Sequence, residues 1–251
     1  MDRQKSIGIF DSGIGGLTVL NELRKILPHE NFIYYADTKH LPYGDKTKED
    51  IISYSKYIVE YFIKNEVKAI IIACGTASAL AFETLKNDYD IPIFNVIDST
   101  VSHLSSNNIG IIATSASITS NVWDNKILKK LPNANITKVA CPKLVPLAEK
   151  NLVNTDECLD IMKEYLKPIK EKKVDTLILG CTHYPLFLPI IKKILNSNTN
   201  IINIGTPLAE DFKYFLDNNN LNSTQNEIGK IHYTASGDIE IFLERKKFFG
   251  N

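Results

Sequence analysis

Short runs of aliphatic and β-branched residues alternate along the chain with longer stretches whose apolar positions recur every three or four residues. The short runs predict strands over Ser6–Phe10, Phe32–Ala36, Val67–Ala73, Ile91–Val96, Asn108–Ala113, Ile136–Ala140, Val174–Gly180 and Asn200–Ile204. Between them, Leu17, Leu20, Leu23 and Leu27 share one helical face. Ile51, Tyr54, Ile58, Tyr61 and Phe62 do the same over Lys48–Lys64, and Thr47 with Asp50 three residues on reads as a capping box for that helix. Further helices are expected over 155–167 and 207–217, then a strand over 231–235 and a last helix. The stretch NNNLNSTQNE at 218–227 reads as a polar surface loop. Runs such as VKAIIIA and VDTLILG are apolar throughout instead of alternating, as in parallel sheets covered by helices on both faces. The expected class is α/β.

A weak internal repeat divides the chain. SIGIFDSGIGG near the start is matched by NIGIIATSASI at 108–118, and IIIACGTA in the first half by LILGCTHYP in the second. Two similar parallel-sheet α/β domains related by pseudo-symmetry are therefore expected, with the active site in the cleft between them. Their bounds are read as 1–97 plus 206–251, the tail packing back onto the first unit, and 98–205.

In parallel α/β units, ligands gather at the carboxyl ends of the strands. Four segments fall there: Asp11-Ser12-Gly13, Cys74-Gly75-Thr76, Thr114-Ser115 and Cys181-Thr182-His183. The repeat places Cys74 and Cys181 at equivalent turns, facing one another across the cleft. Inverting a stereocentre by proton transfer needs a base on one face and an acid on the other, and the two exchange roles in the reverse direction. Two thiols are chemically matched for this, and Asp11 and His183 stand beside them as tuners.

Composition narrows the alternatives. Lys plus Arg and Asp plus Glu number 29 each, so no global field draws the chain to nucleic acid or an anionic membrane. No apolar run has the length of a signal peptide or a membrane span. The four cysteines lack the paired short spacings of a disulfide framework or zinc ribbon, so a reducing cytosol is expected. GIGGLT carries Thr18 where a dinucleotide fingerprint needs its third glycine, and no GK[ST] occurs. Cys181 and His183 alone make a poor metal set, so no metal is expected. Cys141 and Cys158 read as structural, and histidines 29, 40, 103 and 232 as ordinary loop or surface residues.

At this point the chain resembles the glutamate racemases over nearly its whole length: IGIFDSGIGGLTVL, YYADTKHLPYGDK, IIACGTASA, IGIIATSASITS, CPKLVPLAE and LILGCTHYPL. The resemblance implies a cofactor-free two-base mechanism, with Cys74 acting near Asp11 and Cys181 acting with His183 and Glu149. It also implies a substrate site built from Ser12, Pro42, Tyr43, Gly44, Gly75, Thr76, Thr114, Ser117 and Thr182. Glutamate as substrate, D-glutamate for peptidoglycan as product and a homodimer are implied likewise. Three positions depart from the family pattern. Gly75 replaces an asparagine whose amide would bind substrate, Ser117 replaces a threonine, and NVIDST at 95–100 differs from the family's hinge. The expected effect of Gly75 is weaker binding, with Gly75→Asn changing KM more than kcat. An aspartate racemase of the same superfamily and a fold-retaining regulatory binding protein remain open alternatives.

Overall fold

The computed structural model describes residues 2–195 and 197–247. The first half runs β1 (Ile7–Asp11), α1 (Leu17–Ile26), β2 (Phe32–Ala36), α2 (Lys48–Lys64), β3 (Ala69–Ile72), α3 (Gly75–Leu80), α4 (Phe82–Asp88), β4 (Ile93–Asn95) and α5 (Val96–Ser102). The second half runs β5 (Asn108–Ala113), α6 (Ser115–Thr119), α7 (Val122–Lys130), β6 (Asn135–Ala140), α8 (Leu144–Glu149), α9 (Asp156–Glu171), β7 (Thr176–Leu179), α10 (Leu188–Ile194) and β8 (Asn200–Asn203). The tail adds α11 (Gly205–Asn218), β9 (Ile231–Ala235) and α12 (Ile239–Lys246).

Every ladder among the described residues is parallel. One sheet has the order β4-β3-β1-β2-β9, and the other, read from its far edge, β8-β7-β5-β6. The first four strands of each half therefore follow the same arrangement, which is the repeat seen in the sequence. In both, the chain leaves the central strand to one side and returns on the other. The crevice at the carboxyl ends of β1 and β3, and its counterpart at β5 and β7, is thus the topological switch point where such sheets bind ligands. The register is also shared: Phe10 pairs with Ile72, and Ile112 with Leu179. The tail strand β9 closes the first sheet by pairing along β2.

Alternation within the strands sorts side chains into three apolar layers. Phe10, Ile70 and Ile72 face α2 and α4 in an outer layer of the first half. Ile112, Leu177 and Leu179 face α9 and α10 in an outer layer of the second. Ile7, Ile9, Ile71, Ile109, Ile111, Trp123 and Ile178 enter one middle layer drawn from both sheets and from helices including α1, α5 and α11. The two halves thus share a core, which holds their strand ends toward one another.

Local signals act as the sequence implies, with two corrections. Thr47 caps α2 by accepting from the Asp50 N–H, while the Asp50 carboxylate accepts from the Thr47 N–H, a complete capping box. Thr47→Ala should lower stability by about 1 kcal/mol, a drop of about 2–4 °C in Tm for a chain of this size, measurable by thermal denaturation. The helix expected to stop before Pro168 instead runs to Glu171. Proline here costs one bond to the Glu164 carbonyl, but both residues are exposed, so water can serve the freed oxygen. The 218–227 segment is also not wholly a surface loop. Leu221 is buried, and its carbonyl accepts from Lys68 Nζ at 2.8 Å beside the buried Lys68–Glu30 pair. β3, β4 and β7 are each three residues shorter than their apolar runs, although single backbone bonds continue past the ends of β3 and β7, as from the Lys68 N–H to Ser6 and from the Gly180 N–H to Ile112.

Candidate active site

Cys74 lies two residues beyond the end of β3 and forms the N-cap of α3, and Cys181 lies two residues beyond the end of β7. Both line one cleft of about 510 Å³, solvent at its mouth included, together with Ser12, Pro42, Tyr43, Gly44, Gly75, Thr76, Thr114, Thr182 and His183. The walls come from both halves. Thr76 and Thr114 meet across the divide, Oγ1 to Oγ1 at 2.9 Å, and Thr18 donates to the Thr182 carbonyl at 2.9 Å.

The two sulfurs sit in different surroundings. Burial pushes the Cys74 thiol well above its ordinary range, and the nearby Asp11 carboxylate adds to this. The N–H groups of Ala77 and Thr76 oppose the rise but do not overcome it. Asp11 is fully buried at the end of β1, accepting from the Gly13 N–H at 2.9 Å and from Thr182 Oγ1 at 3.1 Å. Burial raises its carboxyl too, against the pull of His183 and these bonds.

Beside Cys181 the environment is ionic. His183 Nδ1 stands 3.8 Å from the Cys181 sulfur, and His183 Nε2 stands 2.7 Å from Glu149 Oε1. Burial would lower the His183 pKa, but contact with Cys181 and Glu149 outweighs it and lifts the imidazole to about 10. Burial likewise opposes ionisation of Glu149, yet His183 and Arg245 together bring its carboxyl below the usual value. One thiol thus sits in an apolar setting with a buried carboxyl group nearby, while the other faces an imidazole backed by a carboxylate.

Of the residues singled out in the sequence, Asp11 and Glu149 stand behind the cleft and not on its surface. Ser117 is not brought to the cleft at all. It is fully buried, and its Oγ accepts from the Trp123 indole N–H at 3.1 Å. Cys141 is buried with its sulfur toward the Val139 carbonyl, while its neighbour Pro142 lines the cleft. Cys158 packs inside the second half. Ser115, from the Thr114-Ser115 segment, lines the cleft, and Val145 and Pro146 line it without having been singled out. Asp37 was also missed: buried, it accepts from the Tyr43 hydroxyl at 2.5 Å and contacts His40 Nδ1 at 2.9 Å, which fixes a wall of the site. Its signal was present in the D-x-x-x-x-P-Y-G run, but nothing local said that the carboxylate turns inward.

Two glycines work by close approach. A Cβ at Gly15 would lie 2.5 Å from both Thr182 Oγ1 and His183 Nδ1, so the first glycine-rich turn serves the packing of the two halves. A Cβ at Gly75 would lie 2.4 Å from the Gly180 carbonyl oxygen. Gly75 is therefore where the turn bearing Cys74 touches the turn bearing Cys181. A side chain there acts first on the fit between the turns, which changes the expectation of an effect on binding alone.

Residues 17–206 match the family model described as Asp/Glu/Hydantoin racemase. The chain belongs to that family. As a member it is an isomerase. It is 39% identical over 244 residues to a glutamate racemase of Thermoanaerobacter sp. (strain X514), covering 96% of this chain and 91% of the relative. Its fold is similar to the glutamate racemase of Francisella tularensis subsp. tularensis SCHU S4 in complex with D-glutamate, with a TM-score of 0.92, 35% identity, and coverage of 98% and 94%. It is equally similar to the Thermus thermophilus glutamate racemase in complex with beta-chloro-D-alanine, with a TM-score of 0.92 and 30% identity, covering 100% of this chain and 95% of that one. Among the described residues, no helix is long and apolar enough to cross a membrane.

Proposed function

We propose that this enzyme interconverts L- and D-glutamate by a cofactor-independent two-base mechanism, with Cys74 on one face of the substrate Cα and Cys181 on the other. The observation that carries the reading is the placement of the two thiols. They occupy equivalent positions in two halves of like topology and line one cleft. Similarity to glutamate racemases, one of them described with D-glutamate bound, supports the substrate.

One thiolate removes the Cα proton, and the electron pair is held on carbon and the adjoining carboxylate. The opposite thiol delivers its proton to the other face. The sulfurs have then exchanged protonation states, and solvent resets them. Asp11 tunes Cys74, while His183 and Glu149 tune Cys181. Ser12, Thr76, Thr114 and Thr182, with the Pro42-Tyr43-Gly44 backbone, hold the substrate's charged ends, and Gly75 permits the close approach. We assign residues 1–97 plus 206–251 and 98–205 to the two domains. The product would serve peptidoglycan synthesis in the cytoplasm, and the working form would be a homodimer.

The test is turnover in D₂O with each enantiomer of glutamate and of aspartate. Glutamate should invert with deuterium at Cα, and activity should survive a chelator and a carbonyl reagent. Inversion without solvent deuterium, or loss of activity after either treatment, would overturn the mechanism. A preference for aspartate would overturn the substrate.

A further inference from the structure

Glu149 is the last residue of α8, a helix of only six residues, so its backbone gives the carboxylate little support of its own. Its side chain is 10% exposed and reaches His183, whose side chain is 2% exposed. One carboxylate oxygen, Oε1, is engaged by His183 Nε2 at 2.7 Å. The other, Oε2, is engaged by Arg245 Nη1 at 3.1 Å. The N–H of Ile14 also faces this carboxylate. Arg245 lies on α12, which follows the tail strand β9 of the first sheet, whereas α8 and His183 belong to the second half. A line of contacts therefore runs from the tail helix across the divide: Arg245, Glu149, His183, Cys181.

We infer that Arg245 is a positioning residue for the Cys181 side of the reaction, acting through Glu149 to fix the orientation of His183. This rests on the reading of Cys181 as one of the two bases. A carboxylate can meet an imidazole through either oxygen and at many rotations. Anchoring Oε2 to a guanidinium leaves Oε1 as the one oxygen aimed at Nε2, and so turns Nδ1 toward the sulfur. This is the logic by which outer partners orient functional histidines. The charge balance agrees. A buried carboxylate needs cationic partners to stay ionised. Besides Arg245, the ionisable groups beside Glu149 and His183 among the described residues are Asp11, Cys181 and Tyr34, the last beneath the glycine turn. None of these is a cation, so Arg245 is the one permanent positive charge in contact with the relay among the described residues. Its own side chain is 44% exposed, so it can be replaced without opening the core.

The test is a double-mutant cycle on racemisation, read as kcat and KM in both directions for the wild type, Arg245→Met, Glu149→Gln and the double variant. Enantiomers have equal free energy in water, so any loss in kcat/KM must be the same from either side, which checks the data internally. Arg245→Met should lower kcat by about tenfold with KM changed by less than about twofold. In the Glu149→Gln background the same change should have no further effect, because the path is already cut. Arg245→Lys keeps a single cationic donor, matching the one contact observed, and should recover most of the loss. The inference is overturned by wild-type kcat in Arg245→Met, by losses that multiply in the double variant, or by a lysine variant no better than methionine. An inactive wild type would instead strike at the racemase reading.

Discussion

Cys74→Ala and Cys181→Ala are each expected to abolish racemisation, with kcat/KM falling by about a thousandfold or more, while circular dichroism and melting stay near wild type. The size follows from the chemistry. A positioned acid or base contributes about 10²–10⁴ in rate, and inversion cannot finish if either face lacks its group. Both thiols are small and buried, so alanine leaves only a minor void. The double variant should be scarcely worse than either single one, since groups that act as a unit are not additive. The singles should still differ in one respect. Cys74→Ala leaves the Cys181–His183–Glu149 line intact and should retain slow exchange of the Cα proton of one enantiomer with D₂O. Cys181→Ala should retain it with the other. Substantial racemisation by either alanine variant would end the two-base assignment.

The second large effect is expected at Gly75. A Cβ there would overlap the Gly180 carbonyl oxygen at 2.4 Å, and neither atom belongs to a flexible side chain. Accommodating even alanine requires the Cys74 and Cys181 turns to part by roughly an ångström, and misplacement of that order can cost about 10²-fold in rate. Gly75→Ala should therefore lower kcat by about 10–100-fold, and Gly75→Asn by at least as much, although asparagine is the residue expected from the family pattern. Steady-state kinetics in both directions decide it. A Gly75→Ala enzyme with wild-type kcat and only a raised KM would return the position to a role in binding.

The fold was legible because its signals are regional. Apolar runs without alternation mark buried parallel strands, and the likeness of SIGIFDSGIGG to NIGIIATSASI gives the pairing of the halves. That the tail packs back onto the first unit was expected, but its pairing along β2 and the anchoring of Leu221 by Lys68 were not. Such a contact depends on residues 153 apart and leaves no local pattern.

The site was legible in part. Cys74 and Cys181 could be placed together from the repeat, because symmetry converts equal position in sequence into facing position in space. Glu149 was reached through resemblance alone, since nothing in CPKLVPLAEK says that its carboxylate meets His183. Ser117 shows the opposite case. Its hydroxyl suits a substrate, but the buried Trp123 indole nearby needs an acceptor and takes it. Gly75 reads in sequence as a missing amide, whereas its place at the contact of two turns is a tertiary property. Arg245 looks like any basic residue in the last turn of a surface helix, and only its partner gives it meaning.

The pairing of β9 with β2 also sets an order of events during synthesis. Phe32 waits for Ile231. At about 5–20 residues per second, the roughly 200 residues between them take about 10–40 s to be made. Through that interval the outer edge of β2 presents a row of free N–H and C=O groups beside apolar side chains, the kind of edge to which foreign strands add. The first half can gather its central strands early, but its last ladder is long-range and must form late. The nascent chain is thus most exposed to misassembly after its second half has emerged and before its tail has docked. A chaperone that shields strand edges would matter most in that window.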